Sequence, residues 1–181
     1  MKYNFIVDSH CHLDLIAQKG GDIDQVIKNA NESNVKILQT ICTKISKFDE
    51  IYAYAKKYDN VYASVGVHPN NVDDEGIYLS SQIVEICKNN DKVIGIGETG
   101  LDYYYDYADK KNQIISFENH IIAAQETGLP LIIHSRDADR DMMEILKKFK
   151  KQQDFKALLH CFSSTKKLAK CALDLGILIS I

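Results

Sequence analysis

Seven short runs of β-branched and apolar residues punctuate the chain: Phe5–Val7, Lys36–Ile41, Val61–Val67, Lys92–Ile96, Pro130–Ile133, Ala157–Leu159 and Gly176–Ile181. Each has the length and composition of a strand buried on both faces. Between them, apolar residues return at spacings of three and four. Ile23, Val26, Ile27 and Ala30 form one such stripe, and Phe48, Ile51, Ala55 and Tyr58 a second. Leu79, Ile83 and Ile86 follow, then Ile114, Phe117, Ile121 and Ala124, then Met142, Ile145, Leu146 and Phe149, and last Leu168, Cys171, Ala172 and Leu175. These are the apolar faces of six helices. Strands alternating with helices predict a parallel sheet with right-handed crossovers. No linker or charge block divides residues 1–181, so one domain is expected.

An open sheet gathers its ligand residues at one switch point, whereas a barrel collects them from many strand ends. Unusual polar residues follow the first, third, fourth, fifth and sixth runs here. The expected fold class is therefore α/β, a (β/α)8 barrel, incomplete with about seven strands and six helices.

Composition narrows the function. With 45% apolar residues and a formal charge of −3, the chain is neither disordered nor globally basic. Any binding of phosphate must come from a local site. Five cysteines, Cys11, Cys42, Cys87, Cys161 and Cys171, have no C-x-x-C spacing and read as free thiols. No apolar run approaches a membrane span, and the start lacks the apolar core of a signal peptide. A cytoplasmic protein without an obligate protein partner is expected.

Five of the six histidines stand at the ends of the apolar runs. His10 and His12 lie two apart after the first, so both imidazoles can face one interior point while Cys11 faces the opposite way. His134 closes Leu131-Ile132-Ile133 and His160 closes Ala157-Leu158-Leu159. Glu98 ends a run with no other polar side chain, where an unpaired carboxylate would be costly. Four imidazoles and one carboxylate at successive strand ends predict a divalent-metal site. His68 either ligates or donates a hydrogen bond to substrate. Asp102 is a candidate for substrate or for a ligand's support. His120, mid-helix beside Phe117 and Ala124, reads as structural.

Only two of the 22 basic residues are arginines, Arg136 and Arg140, both just beyond His134. Arg136 is a candidate for holding a substrate anion through its planar fork, whereas Arg140 among acidic neighbours reads as a surface ion pair. Tyr103, Tyr104 and Tyr105 either pack at the rim or offer stacking faces to a base.

Five segments in order resemble the TatD family of metal-dependent deoxyribonucleases, amidohydrolase-like TIM barrels. They are Asp8-Ser9-His10-Cys11-His12-Leu13-Asp14, Gly66-Val67-His68-Pro69, Gly97-Glu98-Thr99-Gly100-Leu101-Asp102-Tyr103-Tyr104, Pro130-Leu131-Ile132-Ile133-His134-Ser135-Arg136-Asp137-Ala138 and Leu159-His160-Cys161-Phe162-Ser163. The resemblance implies a hydrolase of DNA phosphodiesters, a 3′→5′ exonuclease in characterised relatives, using two divalent ions (zinc, magnesium or manganese). It makes His10, His12, Glu98, His134 and His160 metal ligands, with Glu98 bridging and catalytic. His68 and Arg136 would hold phosphate, with Asp102 and Tyr103 toward the substrate. The family's pattern closes on an aspartate after an eighth strand, a segment the sequence lacks through Ile181, and the expectation is a chain cut short. Two rivals are an amidohydrolase of a small cyclic amide or lactone and an inactive remnant. The first commonly bridges its metals with a carbamylated lysine, and Lys92 stands at the wrong end of its strand for that.

Overall fold

A computed structural model describes residues 4–181. Residues 1–3, which open the expected domain and the segment read as lacking a leader, lie outside the described residues. The seven runs form seven parallel strands: β1 Ile6–Cys11, β2 Val35–Thr40, β3 Val61–Val65, β4 Val93–Asp102, β5 Leu131–Arg136, β6 Ala157–Leu159 and β7 Leu178–Ile179. They pair in sequence order, β1 to β7, in one sheet. A flat sheet would hold β1 and β6 about 24 Å apart at ~4.8 Å per strand. The rings of His10 on β1 and His160 after β6 instead stack 3.8 Å apart. The sheet therefore curls, as the greater part of a (β/α)8 barrel does.

The described residues form eight α-helices where periodicity predicted six: α1 Leu13–Gln18, α2 Ile23–Glu32, α3 Phe48–Lys57, α4 Val72–Glu75, α5 Ser80–Asn89, α6 Lys110–Thr127, α7 Asp139–Gln152 and α8 Lys166–Asp174. The two unforeseen ones, α1 and α4, hold six and four residues, too few to display a period. The predicted stripes bury as expected, except Leu79, which is 59% exposed and precedes α5 as its N-cap. Local chemistry sets several helix ends. Asp22 accepts from the Gln25 N–H at 3.3 Å and Thr165 from the Leu168 N–H at 3.3 Å, each satisfying an otherwise unpaired donor of a first turn. Gly128 ends α6 in the left-handed conformation.

β4 is the axis of the site. It runs ten residues, well beyond the expected Lys92–Ile96, and nine of them are buried. Two glycines let its neighbours close on it. Gly97 has φ +136°, and a Cβ there would sit 2.5 Å from the Ile132 carbonyl oxygen. Gly100 has φ +139°, and a Cβ there would collide with the His134 carbonyl oxygen. Only glycine accepts both the angle and the approach. No helix among the described residues is long and apolar enough to cross a membrane.

Candidate metal centre

Glu98 projects from the middle of β4 and is 3% exposed. Four imidazoles converge on its two oxygens. Oε1 lies 2.8 Å from His160 Nε2, 3.2 Å from His134 Nδ1 and 3.6 Å from His68 Nε2. Oε2 lies 3.4 Å from His10 Nε2. Burial by itself would raise this carboxyl's pKa. The contacts from His10, His134 and His160, with the His68 imidazole close by, outweigh burial and hold it well below the carboxylate range. Glu98 is thus a buried anion, and it joins two triads of potential ligands, His10–Glu98–His160 and His68–Glu98–His134.

His12, the N-cap of α1, lies beside the first triad, its ring 5.2 Å from that of His10. Cys11 faces the other way, as alternation requires, and its thiol donates to the Gln39 carbonyl at 3.3 Å. Burial pushes that thiol up to about 12, so it supplies no thiolate. Both ring nitrogens of His10 and Nδ1 of His12 are buried without a hydrogen-bond partner. Buried polar atoms are seldom left so, and a cation beside Glu98 would engage one nitrogen of each ring. The donor set of imidazoles and carboxylate fits zinc or a harder divalent ion.

Asp102, a candidate for substrate or for a ligand's support, does not line the cavity and sits behind a candidate ligand. It is 1% exposed and its carboxylate is fully engaged. Oδ2 meets His134 Nε2 at 3.0 Å and accepts from Asn70 Nδ2 at 3.2 Å. Oδ1 accepts from the N–H groups of Tyr104 and Tyr105 at 3.1 and 3.2 Å. A carboxylate bonded to a histidine's far nitrogen fixes the ring's orientation and tautomer. Burial alone would lower His134; its contacts with Glu98 and Asp102 raise it instead. Of the two readings open for Tyr103, the side chain follows packing and not the substrate face that the resemblance implies. Its hydroxyl donates to Asp141 at 2.8 Å and Lys110 covers its ring at 4.4 Å, so it packs toward the helices.

His68 accepts from the Asn70 N–H through Nδ1 at 3.2 Å, which leaves the proton on Nε2, the atom facing Glu98. Burial lowers its pKa to about 4. It is a neutral donor aimed into the centre. The cavity above encloses about 530 Å³ and is lined by His12, His68, Glu98, His134, Arg136 and His160, together with Leu15, Thr43, Asn71, Ser135, Cys161 and Ser163. Thr43 and Asn71 escaped sequence reasoning, although Thr43 is the polar residue after the second strand and fills that vacant place in the strand-end pattern.

The model of the family described as TatD related DNase matches residues 7–181. The chain belongs to this family. A relative in Buchnera aphidicola, named as a metal-dependent hydrolase, is 39% identical over 184 residues, covering 97% of this chain and 69% of that protein. One in Klebsiella pneumoniae, named as the 3′-5′ ssDNA/RNA exonuclease TatD, is 26% identical, covering 91% and 62%. Among solved structures, the TatD homologue YJJV of Escherichia coli superposes with a TM-score of 0.83 at 26% identity, covering 96% of this chain and 66% of that one. The chain thus spans about two thirds of the length of these relatives. The expected fold and the expected class, metal-dependent hydrolase, are borne out. The lysine-bridged alternative gains nothing: Lys92 Nζ donates to the Ala55 and Tyr58 carbonyls at 2.6 and 2.8 Å, and no lysine among the described residues lines the cavity.

Proposed function

We propose that residues 1–181 act as one domain that hydrolyses phosphodiester bonds of DNA from a 3′ end, using two divalent cations. The observation that carries this reading is the buried Glu98 carboxylate with imidazoles on both of its oxygens. In this reading His10, His12 and His160 hold one cation with Glu98, and His134 with Glu98 holds the second. Cations held so lower the pKa of bound water and offset charge on phosphate oxygens. The chain's own groups do the rest. His68 donates its Nε2–H to a phosphate oxygen, and Arg136 offers its fork to another. Asp102 keeps His134 pointed at Glu98. The Klebsiella relative, named as an exonuclease of single-stranded DNA and RNA, supports nucleic acid as the substrate. Five unpaired cysteines support a reducing compartment, the cytoplasm.

The test uses single-stranded DNA labelled at either end, with magnesium, manganese or zinc supplied in turn, and metal content measured on the same sample. Expected is metal-dependent release of mononucleotides from the 3′ end. Protein that holds metal but leaves DNA intact while opening cyclic amides or lactones would overturn the substrate. Protein that holds no metal would overturn the centre itself.

A further inference from the structure

Beside the central cavity lies a second groove of about 470 Å³, which shares Ser135, Arg136 and Ser163 with it. Its outer wall is Tyr104, 57% exposed, with the Arg136 guanidinium 3.8 Å from the ring centre. Arg136 is also 5.0 Å from the ring centre of Tyr105, and among the described residues no carboxylate oxygen lies within 4.0 Å of its guanidinium nitrogens. An arginine held by aromatic faces is fixed in direction while its N–H groups stay free for an anion. The groove's lining is not built for a phosphate, because Asp137 adds a negative charge and the hydroxyls of Ser164 and Thr165 are taken by Asp139. Ser135 is different. Its hydroxyl is buried without a partner at the junction of the two cavities.

We propose that this groove binds the base and sugar of the nucleotide next to the one being cleaved, with the base stacked at Tyr104, while Arg136 at the boundary of the two cavities holds the phosphate that joins the two units. The inference rests on the phosphodiesterase reading above and extends it to a second subsite. A flat aromatic wall suits every base, so the subsite favours polynucleotides without reading sequence. Ser135 donates to the sugar–phosphate between the two units. Tyr104 is a binding residue here, and Arg136 joins the two subsites.

The experiment measures binding to the metal-loaded protein of two phosphorothioate-linked tetranucleotides, one with thymine bases and one abasic. The chain has no tryptophan and ten tyrosines, so a stacked base also registers as quenched tyrosine emission. The base-bearing strand is expected to bind about tenfold tighter, the worth of one stacked base. Tyr104→Ala should bring that ratio close to one and remove part of the quenching, whereas Tyr104→Phe should restore the ratio, because the stacking face survives, without restoring the lost quenching. A wild-type ratio near one, or a ratio that survives Tyr104→Ala, overturns the subsite. In either case release of nucleotides from DNA by the wild type leaves the phosphodiesterase reading standing. A wild type that neither binds the two strands nor cleaves DNA overturns both.

Discussion

Replacing Glu98 by glutamine keeps the outline of the side chain and removes the charge on which four imidazoles converge. With the residue 3% exposed, water screens that charge little. At an effective dielectric constant of about 20, one pair of unit charges 4 Å apart interacts by roughly 4 kcal/mol. A cation seated against Glu98 should therefore lose on the order of a thousandfold in affinity, at about 1.4 kcal/mol per factor of ten. Because both proposed ligand sets share the carboxylate, both should weaken together. The amide also places N–H groups opposite donors such as His68 Nε2, 3.6 Å from Oε1 in the native site. The assay is manganese titration of wild type and Glu98→Gln, with metal content by mass spectrometry and nucleotide release from single-stranded DNA. We expect a cooperative thermal transition, little retained metal, and kcat/KM lower by roughly a thousandfold or more. Wild-type metal content together with near-normal turnover would refute the bridging role and make Glu98 a structural anion.

Asp102→Asn should weaken metal binding roughly 10- to 100-fold by loosening His134; unchanged affinity on manganese titration would mean that the ring is fixed by other contacts. Arg136→Lys should raise KM about tenfold with a smaller change in kcat, because a point charge survives and the fork does not; equal loss in both would place Arg136 in the chemical step. His120 is fully buried and its pKa is lowered to about 4 by burial, so the unfolded chain takes up the proton first as pH falls. The stability it contributes is present above pH ~6.5 and is lost by pH ~4, about 3 kcal/mol in all; His120→Gln should flatten that slope in urea titrations, and an identical slope would refute the assignment. Among the described residues β1 pairs only with β2 and β7 only with β6, leaving Ile6, Val7 and Leu178 50–68% exposed. The 181-residue chain should self-associate through these edges, and Leu178→Lys should reduce the size seen by light scattering; a monomer at every concentration would refute this.

How far the site could be read from sequence follows from which contacts are local. Histidines closing apolar runs were legible because an imidazole after a strand has few destinations in a parallel fold. Glu98 was legible because a lone carboxylate closing the apolar run Val93–Gly97 must be compensated. The extents of β4 and β5 were not. Those strands continue through polar residues because each pairs with the other as far as Asp102 opposite Arg136, and pairing of that kind leaves no trace in either segment alone. The same holds for Asp102. Its spacing from Glu98 announced relevance, but only the fold reveals that its carboxylate is spent on His134, Asn70 and two backbone N–H groups. The tyrosine run carried no direction, since Tyr103 turns to Asp141 while Tyr104 turns to Arg136.

The helix that best explains the stability of the centre is α6, and its sequence looked the least orderly. Gln113, Ser116 and His120 interrupt its apolar face, yet all three are buried. Gln113 Oε1 accepts from the Asp102 N–H at 2.9 Å, and its Nε2 donates to the Asp102 and Ala108 carbonyls at 3.1 and 3.0 Å. About two turns later, His120 Nε2 accepts from the Val67 N–H at 3.1 Å while Nδ1 donates to the Ser116 carbonyl at 2.7 Å. The two side chains supply hydrogen bonds where β3 and β4 run out of strand partners, just before His68 and at Asp102. Buried backbone groups there would otherwise go unpaired, at a cost of about 1–3 kcal/mol each. A purely apolar α6 would pack as well and leave both strand ends free to wander. The polar residues on α6 thus tie the segment carrying the donor His68 and the carboxylate orienting His134 to one rigid element, which keeps both histidines at a fixed distance from Glu98.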